Sequence, residues 1–447
     1  MMKRILALLM AMMLLTAPAL AETDGRTRLV YSYWGTADEA KSTQASLDAY
    51  NASQDEVYVE LMLIPNESYT SELQRRNALN TMGIEANMPD CGIMQESGVL
   101  GFAANGLLAD VSAMYAEAGS APMDCVTFKR GGTPVAYSSS TGTLILYYNR
   151  DIFDAAGVAY PPTTAESAWT WEEFIEVARQ LTLDQNGLHP GDEGFDPEHI
   201  VQYGCAVDHF TWQLEVWAHA NGGRWFAEDG SGCVINRPEA IEAIQRIADL
   251  TLKEHVQPFS DGTSANGLQD SFLNGNVAMA TGGTWNIGTC LGSADINYGI
   301  AVLPKMTNAA TIATSGPQVI FSRSKQMDAA FDFIRWYTKE ENCWPLIESG
   351  IWMPLLQKYY TNEDYINQWL QDPDFALKDD YTVARSVLVD YTLSCAVSAG
   401  WYYTPNTNLF MEALCETLKP VWTGEQTAQE VIDAAFDELN KTIQEDF

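Results

Sequence analysis

Basic side chains are scarce in this 447-residue chain: 25 Lys and Arg stand against 59 Asp and Glu, giving a formal net charge of −34. Nucleic-acid binding needs a basic footprint that releases counterions, so this balance argues against it. Docking on an anionic membrane surface is disfavoured for the same reason. Histidine is sparse too, at positions 189, 199, 209, 219 and 255. No HExxH pair occurs among these residues, which removes the usual zinc-hydrolase signature. GxSxG, P-loop and GxGxxG motifs are missing, so hydrolase-elbow and nucleotide-cradle chemistry have no carrier. The SRSK run at Ser322 to Lys325 fits the SxxK pattern but lacks SDN and KTG partners. Paired carboxylates for glycoside hydrolysis are not singled out by any spacing. No catalytic residue, cofactor or metal ligand is expected.

Long apolar runs are missing beyond the N-terminus, where none reaches the ~20 residues that span a bilayer. Residues 1–21 read as a secretory signal: Met1 to Arg4 are positive, Ile5 to Ala19 are almost wholly apolar, and Ala19-Leu20-Ala21 suits a signal peptidase. No cysteine follows Ala21, so a lipid anchor is not encoded there. An exported protein is expected, periplasmic or at the cell surface. The eight cysteines (91, 125, 205, 233, 290, 343, 395, 415) form no CxxC pair. Most are read as small buried hydrophobes in a chain large enough to fold without staples.

What the chain does have is a 47% hydrophobic content, enough to fill the roughly two to four folding units its length suggests. Strands are predicted at Arg28–Trp34, Val57–Ile64, Cys91–Met94, Leu144–Tyr148, Tyr203–Val207, Val277–Met279, Tyr298–Leu303 and Gln318–Ser322. Helices are predicted at Asp38–Asn51, Tyr69–Thr81, after a Thr170/Glu173 capping box, over the RPEAIEAIQRIADLTLKEHV run, and through most of the chain from Asp328. This alternation argues for parallel α/β layers. The turn-rich stretch LDQNGLHPGDEGFDPEH precedes a further helix expected near Glu198. Asp184 and Asn186 fit the opening of a calcium loop, but Gly187 falls at position 4 and no glutamate closes position 12, so a solvated loop is the better reading.

Aromatic residues are abundant: 13 Trp, 20 Tyr and 16 Phe. Trp34, Trp285, Trp352 and Trp401 sit beside glycine or turn residues. A loop tryptophan offers a flat apolar face and one N–H, which suits a sugar ring.

Six motifs stand in order along the chain: LVYSYWG (Leu29–Gly35), LILYYNRDIFDAAGV with PPTTAESAWTWEEFIEVARQLT, AHANGG (Ala218–Gly223), FLNGNVAMATGGTWNIG (Phe272–Gly288), YGIAVLPK (Tyr298–Lys305) and SRSKQMDAAFDFIRWYT (Ser322–Thr338). Together they resemble the extracellular solute-binding proteins of bacterial ABC importers, in the sugar-binding branch. The resemblance implies an α/β, two-lobed type II periplasmic-binding-protein fold with a multi-segment hinge. The hinge would run near Ser138–Thr143, Leu303–Lys305 and Ser322–Gln326, placing 22–138 with 304–323 in lobe 1 and 139–303 with 324–447 in lobe 2. It further implies a carbohydrate ligand held between the lobes, a permease partner, a monomer, and binding without catalysis. Carried over residue by residue, the candidate contacts are Trp34, Thr36, Asp38, Gln95, Glu96 and Ser97 from the first lobe. The second lobe would add His209, Phe210 and Trp285, with Gly282 and Gly283 admitting backbone, and the C-terminal segment Trp401, Tyr402 and Asn406. The alternatives are a secreted glycoside-active enzyme, or the same fold holding a polyamine, peptide or metal.

Overall fold

Ten strands join into one sheet in the computed structural model, which describes residues 25–35, 37, 40–65, 68–118, 123–263, 271–289, 296–377 and 379–444. The signal segment, Thr36, Asp38 and Cys290 lie outside the described residues. At one end β1 (Thr27–Trp34) pairs in parallel with β2 (Val57–Ile64) and β3 (Cys91–Ile93). At the other, β8 (Ile200–Ala206) pairs in parallel with β9 (Val277–Gly283), and the two-residue β7 (Leu183–Asp184) closes the edge. Short β4 (Lys129–Arg130) and β5 (Thr133–Pro134) form a separate hairpin. Helices α1 (Ala40–Ser53), α2 (Tyr69–Thr81) and α3 (Glu96–Ala104) connect the first set of strands. Helices α4 (Trp171–Leu181), α5 (Thr211–Ala220) and α6 (Pro238–Leu252) belong to the second.

Two long strands carry the chain between the sets. The thirteen residues of β6 (Tyr137–Asn149) are all buried. Its first half pairs with β11 (Thr311–Ile320), and its second half pairs with β9 and with β10 (Tyr298–Ala301). β11 in turn reaches β3 through Gln318–Ile93 and Ile320–Cys91. The crossing half of β6 reads Ser-Ser-Ser-Thr-Gly-Thr, and its buried hydroxyls have partners: Ser138 Oγ donates to Ser315 Oγ at 2.9 Å and Thr141 Oγ1 to the Thr314 carbonyl at 2.7 Å. Buried polar groups must be bonded in this way, so hydroxyls rather than bulk fill the seam between the lobes. The expected hinge at Ser138–Thr143 falls on this crossing. Leu303–Lys305 and Ser322–Gln326 instead flank β11. Lys305 N–H is bonded to the Trp169 carbonyl, and Ser322 N–H to the Leu107 carbonyl.

The capping box forms as predicted, with Thr170 and Glu173 bonded reciprocally at the start of α4. No helix begins near Glu198. Asp184 accepts from the N–H groups of Asn186, Leu188 and Asp196, which folds the turn-rich loop around its carboxylate and delivers the chain into β8. That carboxylate is spent on backbone, so the calcium reading gains nothing here.

The C-terminal third is mostly helical, but its helices divide between the two strand sets. Helix α7 (Met327–Tyr337) packs on β1 and α1, with Phe333 edge-on to Tyr31 (5.5 Å) and Tyr50 (4.9 Å). Its contacts therefore fall on the first set, not on the second with which residues 324–447 were grouped. Helices α8 (Thr407–Trp422) and α9 (Ala428–Thr442) pair with each other and cover α6. A short strand, β12 (Ala396–Ser398), joins β11 in parallel and leads into a 3₁₀ turn at Gly400–Tyr402. The seven described cysteines are all free thiols.

Candidate functional site

The carboxyl ends of β1, β3, β8 and β9 are where an open α/β sheet exposes loops to a ligand. From β9, the chain turns at Gly283-Thr284-Trp285. A Cβ on Gly283 would lie 2.1 Å from the Trp285 ring, and one on Gly142 of β6 would lie 3.2 Å from it. The indole therefore folds flat over two glycines, against the crossing strand. These glycines make room for the protein's own side chains: Gly282 likewise faces Asn286, at 2.5 Å from a would-be Cβ.

From Trp285 a run of rings crosses the site. Trp212, in the first turn of α5, has its ring centroid 6.0 Å from Trp285 and 5.6 Å from Trp401. Trp401 is 6.5 Å from Tyr402, which stacks on Phe128 at 4.2 Å. The turn carrying Trp401 and Tyr402 is fixed from both sides. Buried Glu215 of α5 accepts from the Gly400 N–H at 2.9 Å. From the first strand set, Glu96 Oε1 accepts from Tyr402 Oη at 2.7 Å, and from the Ser315 N–H and Oγ at 2.8 and 3.1 Å.

Glu96 opens α3, where a helix N-terminus favours an acid. Its carboxyl is nevertheless turned to the crossing strand and the C-terminal turn. Burial outweighs the bonds it receives and pushes its pKa up to about 8. A second acid, Asp208, follows β8. It is 5% exposed and accepts from the Phe210 N–H at 3.1 Å, while its own N–H donates to Thr281 Oγ1. Burial raises its pKa to about 7. Neither acid forms an ion pair with Lys or Arg among the described residues. The buried Trp401 indole N–H makes no fully formed hydrogen bond, but it lies close enough to Glu96 to help hold that carboxylate.

Of the residues predicted from sequence, the structure brings Glu96, Trp285, Trp401 and Tyr402 into this one cluster. Phe210 stands beside it as the residue preceding α5, bonded to Asp208. Gln95 caps α3 and accepts from Thr70 Oγ1 at 2.9 Å, within the first strand set. Ser97 is half-buried in the first turn of α3. Trp34 ends β1, stacked on Tyr33, with its indole N–H buried and unbonded. Thr36 and Asp38 fall outside the described residues.

Two of the expected contacts lie inside the protein, away from the rings. His209 turns away into the protein: it is 4% exposed, its ring nitrogens lie 3.1 and 3.3 Å from the Val207 and Ser260 carbonyls, and it packs on Trp422 at 4.4 Å. Burial lowers its pKa, as expected of a neutral structural histidine. Asn406 is also buried, preceding α8 with its Nδ2 on the Ile443 carbonyl. Trp212, Asp208 and Ser315 were missed. The first two flank His209 and Phe210 in the same DHFTW segment, whose geometry depends on where the helix begins. A groove of about 970 Å³ elsewhere, lined by His189, Phe195 and His255, has its Arg179 already paired with Glu254.

The family model for bacterial extracellular solute-binding protein matches residues 34–342. The sn-glycerol-3-phosphate-binding periplasmic protein UgpB of Escherichia coli K12 is 23% identical over 320 residues, 68% of this chain. The chain spans 66% of that relative's length. Among solved structures, the ABC substrate-binding protein Lmo0181 of Listeria monocytogenes, in complex with cycloalternan, superposes with TM-score 0.74 at 21% identity, covering 94% of this chain and 99% of the other. The cyclic α-maltosyl-1,6-maltose binding protein of Arthrobacter globiformis gives 0.70 at 22%, covering 94% and 100%. The fold is the two-lobed one of these proteins, and the chain belongs to the bacterial extracellular solute-binding protein family.

Proposed function

We propose that the protein is an exported receptor that captures a carbohydrate, an oligosaccharide or glycoside, between its lobes and presents it to an ABC importer. The carrying observation is the run Trp285–Trp212–Trp401–Tyr402, ending at Glu96, where side chains of both strand sets meet across the buried crossing strands. Rings of this kind stack on the C–H faces of sugars while carboxylates and N–H groups bind hydroxyls. Closure follows from the same geometry, since a ligand touching both lobes stabilises the state in which they approach. The solved relatives that bind cyclic glucans support the sugar reading. The glycerol phosphate of the curated relative fits less well, because among the described residues no Arg or Lys lies over Trp212, Trp401 or Tyr402 to pair with a phosphate.

Trp34, Thr36, Asp38, Gln95 and Ser97 are proposed to face the ligand from the first lobe. The receptor would act as a monomer, without turnover. Thermal shift against mono- and oligosaccharides, with polyamine and peptide controls, tests this, accompanied by product analysis on long incubation. A saturable shift with one sugar class and no product is expected; hydrolysis would make it an enzyme, and a response only to polyamine or peptide would keep the fold and change the ligand.

A further inference from the structure

Glu96 is an expensive residue to place in an aromatic site. Three donors, from Ser315 and Tyr402, converge on its Oε1, and none of them engages Oε2. The rings of Trp401 and Tyr402 stand beside it, and burial favours its neutral form in the free protein. No Arg or Lys lies over Trp212, Trp401 or Tyr402 among the described residues: the cation–ring contacts are at Tyr58, Tyr148, Phe331, Tyr359 and Tyr365. Asp208, buried just before α5, is a second acid with no cation partner among the described residues. An acid set among electron-rich rings, with no Arg or Lys over those rings among the described residues and the nearby Lys129 and Arg130 exposed, is complementary to positive charge. A neutral sugar would bury Glu96 further and leave it protonated. An ammonium would instead stabilise the carboxylate, so that the proton is released to solvent, and would gain a charge-assisted bond while resting on indole faces.

Resting on the receptor reading above, we infer that the captured saccharide carries a basic nitrogen, as in an amino sugar, and that Glu96 is its specificity-determining contact. The groups facing this position are Ser315 from the crossing strand, Trp401 and Tyr402 from the C-terminal turn, and Phe128, stacked on Tyr402. Tyr402 stays neutral, because burial and the adjacent Glu96 hold its pKa well above the usual phenol range.

The test is calorimetric titration of the mature chain at pH 7 with glucosamine oligomers, their N-acetylated counterparts, maltotriose and spermidine. Paired titrations use Glu96→Gln, whose fold is checked by circular dichroism. The amine-bearing oligomer should bind about tenfold or more tighter than the N-acetylated one. Glu96→Gln should erase that ratio, whatever it does to the affinity for the neutral sugar. The ratio in the wild-type protein decides the matter even if the variant does not fold. Equal or tighter binding of neutral sugars overturns the inference and leaves the receptor reading standing. Binding of spermidine alone overturns the saccharide, and no binding by any probe overturns both.

Discussion

The Tyr402 hydroxyl donates to Glu96 Oε1 at 2.7 Å although the two residues are 306 positions apart in the chain. Glu96 comes from the helix that follows β3, whereas Tyr402 comes from a turn held by Glu215 of α5. The bond ties the two strand sets together across the site, so changes at either residue should be read out in ligand capture as well as in stability.

Stability should rise as pH falls. In the folded protein the pKa of Glu96 is raised to about 8 and that of Asp208 to about 7, both above the usual carboxylate range. The folded state therefore binds these protons more tightly than the unfolded state, and their contribution is lost as pH climbs through that window. Thermal denaturation of the ligand-free protein should show a midpoint higher by roughly a few degrees at pH 5 than at pH 8. Combining Glu96→Gln with Asp208→Asn should flatten the slope; an unchanged slope would place the titration elsewhere.

Gly283→Ala should weaken ligand binding more than it weakens the fold. The new methyl would stand 2.1 Å from the Trp285 ring and force it off the crossing strand. A loss of about tenfold in affinity with a native circular dichroism spectrum is expected.

His209→Ala should do the opposite. The imidazole fills a buried site against Trp422, so its removal should cost about 1–3 kcal/mol in denaturant unfolding while affinity stays within about twofold. A selective loss of binding would return His209 to the site.

The chain should also be indifferent to reductant. The seven described cysteines are free thiols. Thiol titration in denaturant should give at least seven groups per chain without prior reduction, and the melting midpoint should not move with added dithiothreitol.

Much of the fold is legible in the sequence, because its signals are local. The Val57–Ile64 strand and the Tyr69–Thr81 helix fall where hydrophobic patterning put them, and the Thr170/Glu173 box starts its helix. The crossing strands read less well. Their Ser- and Thr-rich halves look like loop, and only pairing across 177 residues, as between Ser138 and Ser315, makes them strand. Glycine and turn residues single out Trp285 and Trp401 in the sequence, and the structure sets both beside Trp212. At DHFTW, β8 ends at Ala206 and α5 starts at Thr211, so His209 points inward while Trp212 joins the rings. Side-chain direction at such a junction depends on backbone angles, which residue types alone do not dictate. Helix α7 was grouped with its sequence neighbours because nothing local announces that Phe333 packs on Tyr31.

The central claim is that the rings between the lobes hold a sugar. Parallel calorimetric titration of the wild-type chain and Trp285→Ala with an oligosaccharide panel tests it most directly. The account predicts one site per chain for one sugar class, with affinity lost by about tenfold or more in the variant. Equal affinity in both proteins, or no binding of any sugar to the wild-type chain, would contradict it.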